Sequence, residues 1–202
     1  MTHPAGPTLF RTYEVARNKG YNCEIWQAAR ATSAAPTIFE RIKIGPTGSA
    51  IDYVDPGLGY NNPIKQVLAE ARRVFGDDAR AACLLSIGTG QAAPARFEKP
   101  GVLQRVLPTE LIGVLKRIAT DSEKTAAEMR QNYRKLPGIY HRLNVERGLG
   151  ALCLDEWKRL GEVQLQTEKY MELETDHLDK IVDALSGPCK TLTRELGSLG
   201  TS

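Results

Sequence analysis

A chain of 202 residues with 42% hydrophobic and 25% charged side chains has the material for one sizeable core, which excludes wholesale disorder. Its 27 basic and 24 acidic side chains leave a net charge of +3, and the basic residues are scattered, so the clustered stripe that nucleic-acid binding requires is absent. The opening Met1-Thr2-His3-Pro4-Ala5-Gly6-Pro7 lacks the basic and apolar regions of a signal peptide, and no apolar run approaches the roughly 20 residues that span a bilayer; the expectation is a cytoplasmic or peripherally membrane-bound protein.

Leu9 to Val15 alternates and predicts a strand, closed by a turn at Asn18-Lys19-Gly20. Glu24 to Ala34 is dense in small residues and stopped by Pro36, which predicts a helix able to approach another backbone closely. Ile51 to Val54 predicts a short strand running into a loop of turn formers, Asp55 to Pro63. Asn62 suits the N-cap and Pro63 the first position of the next helix, in which Ile64, Val67, Leu68, Ala71, Val74 and Phe75 recur at helical spacing up to Gly76. The continuous apolar run Ala81 to Ile87, ending at Gly88-Thr89-Gly90, is the pattern of a buried parallel strand.

Strand, loop, helix and strand in that order predict an α/β layered fold. Gln91 to Gly101 reads as a linker-like loop, dividing residues 1–90, with the sheet core, from residues 91–202, a helix-rich part of the same domain. In that second part Leu111, Leu115, Ile118, Ala119, Ala126 and Met129 mark an amphipathic helix, and Ile139 to Val145 alternates as a strand. Helices are predicted from Leu154 to Leu160, Val163 to Leu173 and Asp176 to Leu185, before a polar tail.

Asp55 is the most informative residue, because a carboxylate at the C-terminal end of a strand stands on the edge where α/β folds bind ligands. Beside a serine hydroxyl it would accept the proton; on local residues alone, an Asp before Pro and Gly reads more readily as a turn former. His141 on an apolar strand face reads as a hydrogen-bonded core histidine, and His177 between Asp176 and Asp179 as part of a solvated helix surface. Gly88-Thr89-Gly90-Gln91-Ala92-Ala93 matches a dinucleotide fingerprint, but Pro94 leaves no helix N-terminus to hold a pyrophosphate. The four cysteines, Cys23, Cys83, Cys153 and Cys189, have no ligand-like spacing and read as free, mostly buried thiols.

Three segments in order, Ala28 to Pro36 followed by Phe39, Tyr53-Val54-Asp55-Pro56-Gly57-Leu58-Gly59-Tyr60-Asn61-Asn62-Pro63, and Leu85-Ser86-Ile87-Gly88-Thr89-Gly90, resemble patatin-like phospholipases. The later Tyr140 to Val145 and Leu154 to Lys158 are similar to the C-terminal portion of fungal-type members, so the resemblance runs from Leu9 to Leu185. It implies a three-layer α/β sandwich with a mainly parallel sheet, incomplete here on its N-terminal side. It also implies a Ser-Asp dyad that hydrolyses acyl esters of lipids or phospholipids, with peripheral membrane contact and without metal or organic cofactor. The dyad aspartate maps to Asp55. Gly57 and Gly59 would shape its turn, and Ser33 and Asn62 would be structural neighbours of the site.

Two departures matter. Pro56 stands where the family has glycine, and proline excludes a positive φ, so Asp55 is at risk of being mis-aimed. The nucleophile elbow Gly-x-Ser-x-Gly and the glycine-rich oxyanion loop occur nowhere in the 202 residues; Gly197-Ser198-Leu199-Gly200 has the wrong spacing. The expectation is a chain inactive by itself, whose N-terminal half lies elsewhere on the natural polypeptide. The alternative is a non-catalytic fragment or pseudoenzyme that serves as an interaction module.

Overall fold

In a computed structural model the described residues are 6–15, 21–36, 39–77, 80–91, 109–146, 148–149, 152, 156–187 and 190–191, those at 58, 109–120 and 190–191 by backbone alone. The first helix, α1 (Ile25–Thr32), starts where Gln27 Oε1 accepts the Glu24 N–H at 2.9 Å, the reach-back half of a capping box. Small residues are the ones that pack: Ala31 in the helix and Ala34 just beyond it are buried, whereas Ile25 and Trp26 are exposed. A hairpin follows, β1 (Ile42–Ile44) antiparallel to β2 (Ile51–Tyr53), with Ile42 opposite Tyr53. Ala31, Ile44 and Tyr53 form a small core that Phe10, Tyr21 and Cys23 cover.

The strand predicted over Leu9 to Val15 does not form; among the described residues 6–15 pair with no strand. Alternation did place Arg11 and Tyr13 on one side, but that side meets a helix instead of a ladder partner. Arg11 Nη2 donates to Glu70 Oε2 at 2.7 Å, Arg11 Nε donates to Oε1, and the Tyr13 hydroxyl donates to Oε1 at 3.1 Å.

Glu70 belongs to α3 (Ile64–Phe75), which begins after a short turn of helix, α2 (Gly57–Tyr60). Pro63 takes the N-cap backbone position, one residue earlier in the helix than the sequence predicts, and Asn62 Oδ1 still accepts the Ile64 N–H at 3.4 Å. Ile64 and Leu68 are buried; Val67, Val74 and Phe75, predicted on the same apolar face, are exposed.

The run Ala81 to Ile87 is two strands, not one. β3 (Arg80–Ala81) pairs antiparallel with β6 (Lys190–Thr191), and β4 (Leu84–Ile87) pairs parallel with β5 (Tyr140–Leu143). Between β4 and β5 comes α4 (Thr109–Asn132), whose Ala126 and Met129 are fully buried. Met129, Tyr133, Ile139, Leu84, Ile64 and Leu68 make the main core. The helix predicted from Leu154 to Leu160 is, in its described part, a single 3₁₀ turn (Trp157–Arg159) leading into α5 (Leu160–Leu173), and α6 (Thr175–Ser186) follows. The linker beyond Gln91, Cys153, Cys189 and the Gly197 tail lie outside the described residues.

The chain is therefore α/β, but its sheet content differs from one mainly parallel sheet: among the described residues there are three two-stranded ladders, of which β4–β5 is parallel. Ile87, Trp157 and Leu173 are exposed, and no described helix is long and apolar enough to cross a membrane.

The Arg11 guanidinium, helped by Tyr13, holds the Glu70 carboxyl well below its ordinary value, at about 2. Stability from this contact is complete above the ordinary carboxylate value and is lost as pH falls through the lowered one. In denaturant titrations the native chain should exceed Glu70→Gln by on the order of 2 kcal/mol above pH ~5, the gap narrowing toward pH ~2. A gap independent of pH would show that Glu70 is not held in this way.

Candidate functional site

Asp55 lies two residues past the end of β2, and its N–H donates to the Ala34 carbonyl at 3.0 Å. That bond joins two of the three family-like segments, the end of α1 and the aspartate loop. Pro56 adopts φ −75° and ψ 3° at the N-cap of α2, a conformation that suits proline. The Gly57 N–H donates to Asp55 Oδ1 at 2.7 Å, and a Cβ at Gly57 would stand 3.1 Å from that oxygen. Asp55 Oδ2 has no protein partner among the described residues, and the side chain is half-buried. Gly59 takes φ +122°, a conformation that favours glycine.

Ser33 lies beside this loop but is exposed, its hydroxyl donating to the Ala29 carbonyl at 2.9 Å, a helix-end contact. Asn62, by contrast, is buried and joins the aspartate loop to the third segment: Ser86 Oγ donates to Asn62 Oδ1 at 3.2 Å, and Asn62 Nδ2 donates to the Ser122 carbonyl at 3.4 Å.

Sequence reasoning missed what lies behind Ser86. Arg142, with a side chain only 8% exposed, donates to Ser86 Oγ at 3.0 Å, Ser122 Oγ at 3.2 Å and Glu123 Oε1 at 3.3 Å. Asn144 Nδ2 donates to the same Glu123 oxygen at 3.1 Å, and Asn144 Oδ1 accepts the Gly90 N–H at 2.8 Å. The signal was present: opposite the apolar face of Ile139 to Val145 stand Tyr140, Arg142 and Asn144. A Cβ at Gly88 would fall 2.3 Å from Asn144 Oδ1, so this glycine admits the asparagine side chain. In the described part of the dinucleotide-like motif, Gly88 and Gly90 thus serve internal packing.

His141 is buried as expected. Its Nε2 meets the Gly138 carbonyl at 3.2 Å and its Nδ1 meets His177 Nε2 at 3.1 Å. His177 is not on a solvated surface: it is half-buried, wedged between His141 and Glu174 Oε2, the latter at 2.9 Å. His177 lines a polar cavity of about 270 Å3 whose wall also includes Arg130, Arg142, Glu123, Glu146 and Glu174. Much of its charge is paired internally, Glu123 with Arg142 and Arg130, and Glu174 with His177. Cys23 and Cys83 are free and half-buried, and burial pushes the Cys83 thiol up. Among the described residues no group of His, Cys, Asp or Glu is arranged to hold a metal.

Residues 3–68, which contain the Asp55 loop and the end of α1, match the family model for patatin-like phospholipases. That class resemblance extends over most of the chain in individual relatives. The chain is 30% identical over 184 residues to calcium-independent phospholipase A2-gamma of Oryctolagus cuniculus, and likewise to that of Homo sapiens, covering 87% of this chain and 21% of each relative. It is 29% identical over 109 residues to patatin-like protein 6 of Arabidopsis thaliana, covering 50% of this chain and 21% of the relative. The chain thus spans about a fifth of the length of these relatives. No solved structure gives a significant match.

Burial holds the His141 imidazole below the ordinary histidine range, and the neighbouring His177 acts in the same direction. Neutral His141 therefore contributes stability that is present above the ordinary histidine value and lost as pH falls through the lowered one. The unfolding free energy from urea titrations should decline below pH ~6.5 in the native chain, by at most about 1.4 kcal/mol per pH unit from this group, and the decline should shrink in His141→Asn. Equal slopes in both would contradict the assignment.

Proposed function

We propose that the chain is the C-terminal portion of a patatin-like lipid acyl hydrolase domain and that Asp55 is the proton acceptor of its Ser-Asp dyad. The observation that carries this reading is the state of the carboxylate: one oxygen is fixed by the Gly57 N–H at 2.7 Å, while the other has no partner among the described residues. An aspartate held by one oxygen with the other free is arranged to orient and deprotonate a hydroxyl. The similarity of the segment around it to patatin-like phospholipases supplies the reaction class.

In this reading the serine and the oxyanion donors lie on polypeptide beyond these 202 residues, since no Gly-x-Ser-x-Gly occurs within them. The serine oxygen attacks the ester carbonyl as its proton passes to Asp55, which hands that proton to the departing lipid alcohol; Asp55 then takes a proton from water as it attacks the acyl-serine, and returns it to the serine oxygen as the fatty acid is released. Residues 1–90 carry the aspartate side of the core and residues 91–202 its helical continuation, completing a three-layer sandwich with the missing strands. Phospholipids are the substrate class, in keeping with the names of the relatives, and no metal is used in the reaction. The domain works in the cytoplasm or at a membrane surface that it touches peripherally.

A second reading, an interaction module without catalysis, draws on the same Asp55–Gly57 bond, which is also that of an ordinary Asx turn. Hydrolysis of phosphatidylcholine vesicles separates the two. The 202-residue chain alone should give no turnover, and in the natural polypeptide bearing the serine elbow Asp55→Asn should lower kcat by about 10²–10⁴-fold. Full activity of that variant would leave Asp55 as a turn residue.

A further inference from the structure

Two buried polar side chains, Asn62 at 6% exposure and Ser86 at 7%, sit between the aspartate loop and β4. Burying an amide and a hydroxyl is unfavourable unless their hydrogen bonds are made, so their partners define what they do. A guanidinium only donates. Arg142 Nη1 donates to Ser86 Oγ at 3.0 Å, which turns the single hydroxyl proton of Ser86 toward Asn62 Oδ1 at 3.2 Å. The Asn62 amide is thereby oriented, Oδ1 toward Ser86 and Nδ2 toward the Ser122 carbonyl of α4.

The aspartate loop is consequently anchored at both ends. At its start the Asp55 N–H is bound to Ala34, and at its end Asn62 is bound to β4 and α4. Between them lies only α2, whose Tyr60 N–H donates to the Pro56 carbonyl at 3.1 Å and whose Gly57 N–H holds the carboxylate. We propose that Asn62 and Ser86 are positioning residues for Asp55 in acyl transfer, with Arg142 setting the direction of their hydrogen bonds. This rests on Asp55 being the dyad base. Ser86→Ala removes the bond to β4, leaves Asn62 Oδ1 with only the 3.4 Å contact from the Ile64 N–H, and loosens the turn that aims the carboxylate.

The test has two arms. In the natural polypeptide, with phosphatidylcholine vesicles as substrate, Ser86→Ala should lower kcat about tenfold with KM within about twofold, and Ser86→Thr, which keeps the hydroxyl, should restore it. In the 202-residue chain, amide exchange at Tyr60 and Ile64 should accelerate about tenfold in Ser86→Ala while Tyr133 and Leu136 keep their rates. Asp55→Asn, run alongside, separates the two claims. If it abolishes turnover while Ser86→Ala changes neither kcat nor exchange, the positioning role is wrong and the dyad stands; if it has no effect, both are wrong. Loss of protection throughout the chain in both Ser86 variants would make the role purely structural and overturn the proposal.

Discussion

A guanidinium buried beside β4 organises this structure. Removing a charge from water is costly unless it is paired and bonded, so the elements around Arg142 deliver acceptors to it. β4 supplies Ser86, and α4 supplies Ser122 and Glu123. Asn144 shares the Glu123 carboxylate and reaches across to the Gly90 N–H. Each bond fixes the position of one element relative to another, so the parallel pair β4–β5 and the long helix between them are registered by polar contacts as well as by the apolar core of Met129, Ile139 and Leu84.

The aspartate loop inherits its position from that arrangement. Asn62 hangs on Ser86 and Ser122, and Asp55 hangs on Ala34, so a turn built from glycine and proline is restrained from both sides. Pro56 adds stiffness, since its fixed φ matches the first turn of α2. The Asp55 carboxylate is half-buried just beyond β2, one oxygen held by the Gly57 N–H and the other unengaged among the described residues.

Much of this was legible in the sequence. The helix at α1 announced itself through its small residues and Pro36, α3 through its apolar spacing and Gly76, and the aspartate loop through its turn formers. The elements misjudged were those defined by partners. Leu9 to Val15 has a strand's alternation, but its Arg11 and Tyr13 answer to Glu70 on a helix. Ala81 to Ile87 is one apolar run, yet its two ends pair with different strands, a distinction that long-range pairing decides and local hydrophobicity does not. His177 was placed on a solvated face because its sequence neighbours are acidic; its actual neighbour, His141, is far away in the chain. The polar face of β5 was readable from alternation alone, but which serines and carboxylates it met was not.

The central claim is that Asp55 serves a serine supplied from outside these residues, and the most direct measurement is covalent labelling of the natural protein with a fluorophosphonate, followed by peptide mapping. The account predicts a single labelled serine within a Gly-x-Ser-x-Gly segment absent from these 202 residues, and no label on Ser33 or Ser86. Labelling of a serine inside this chain, or no labelling at all, would contradict it.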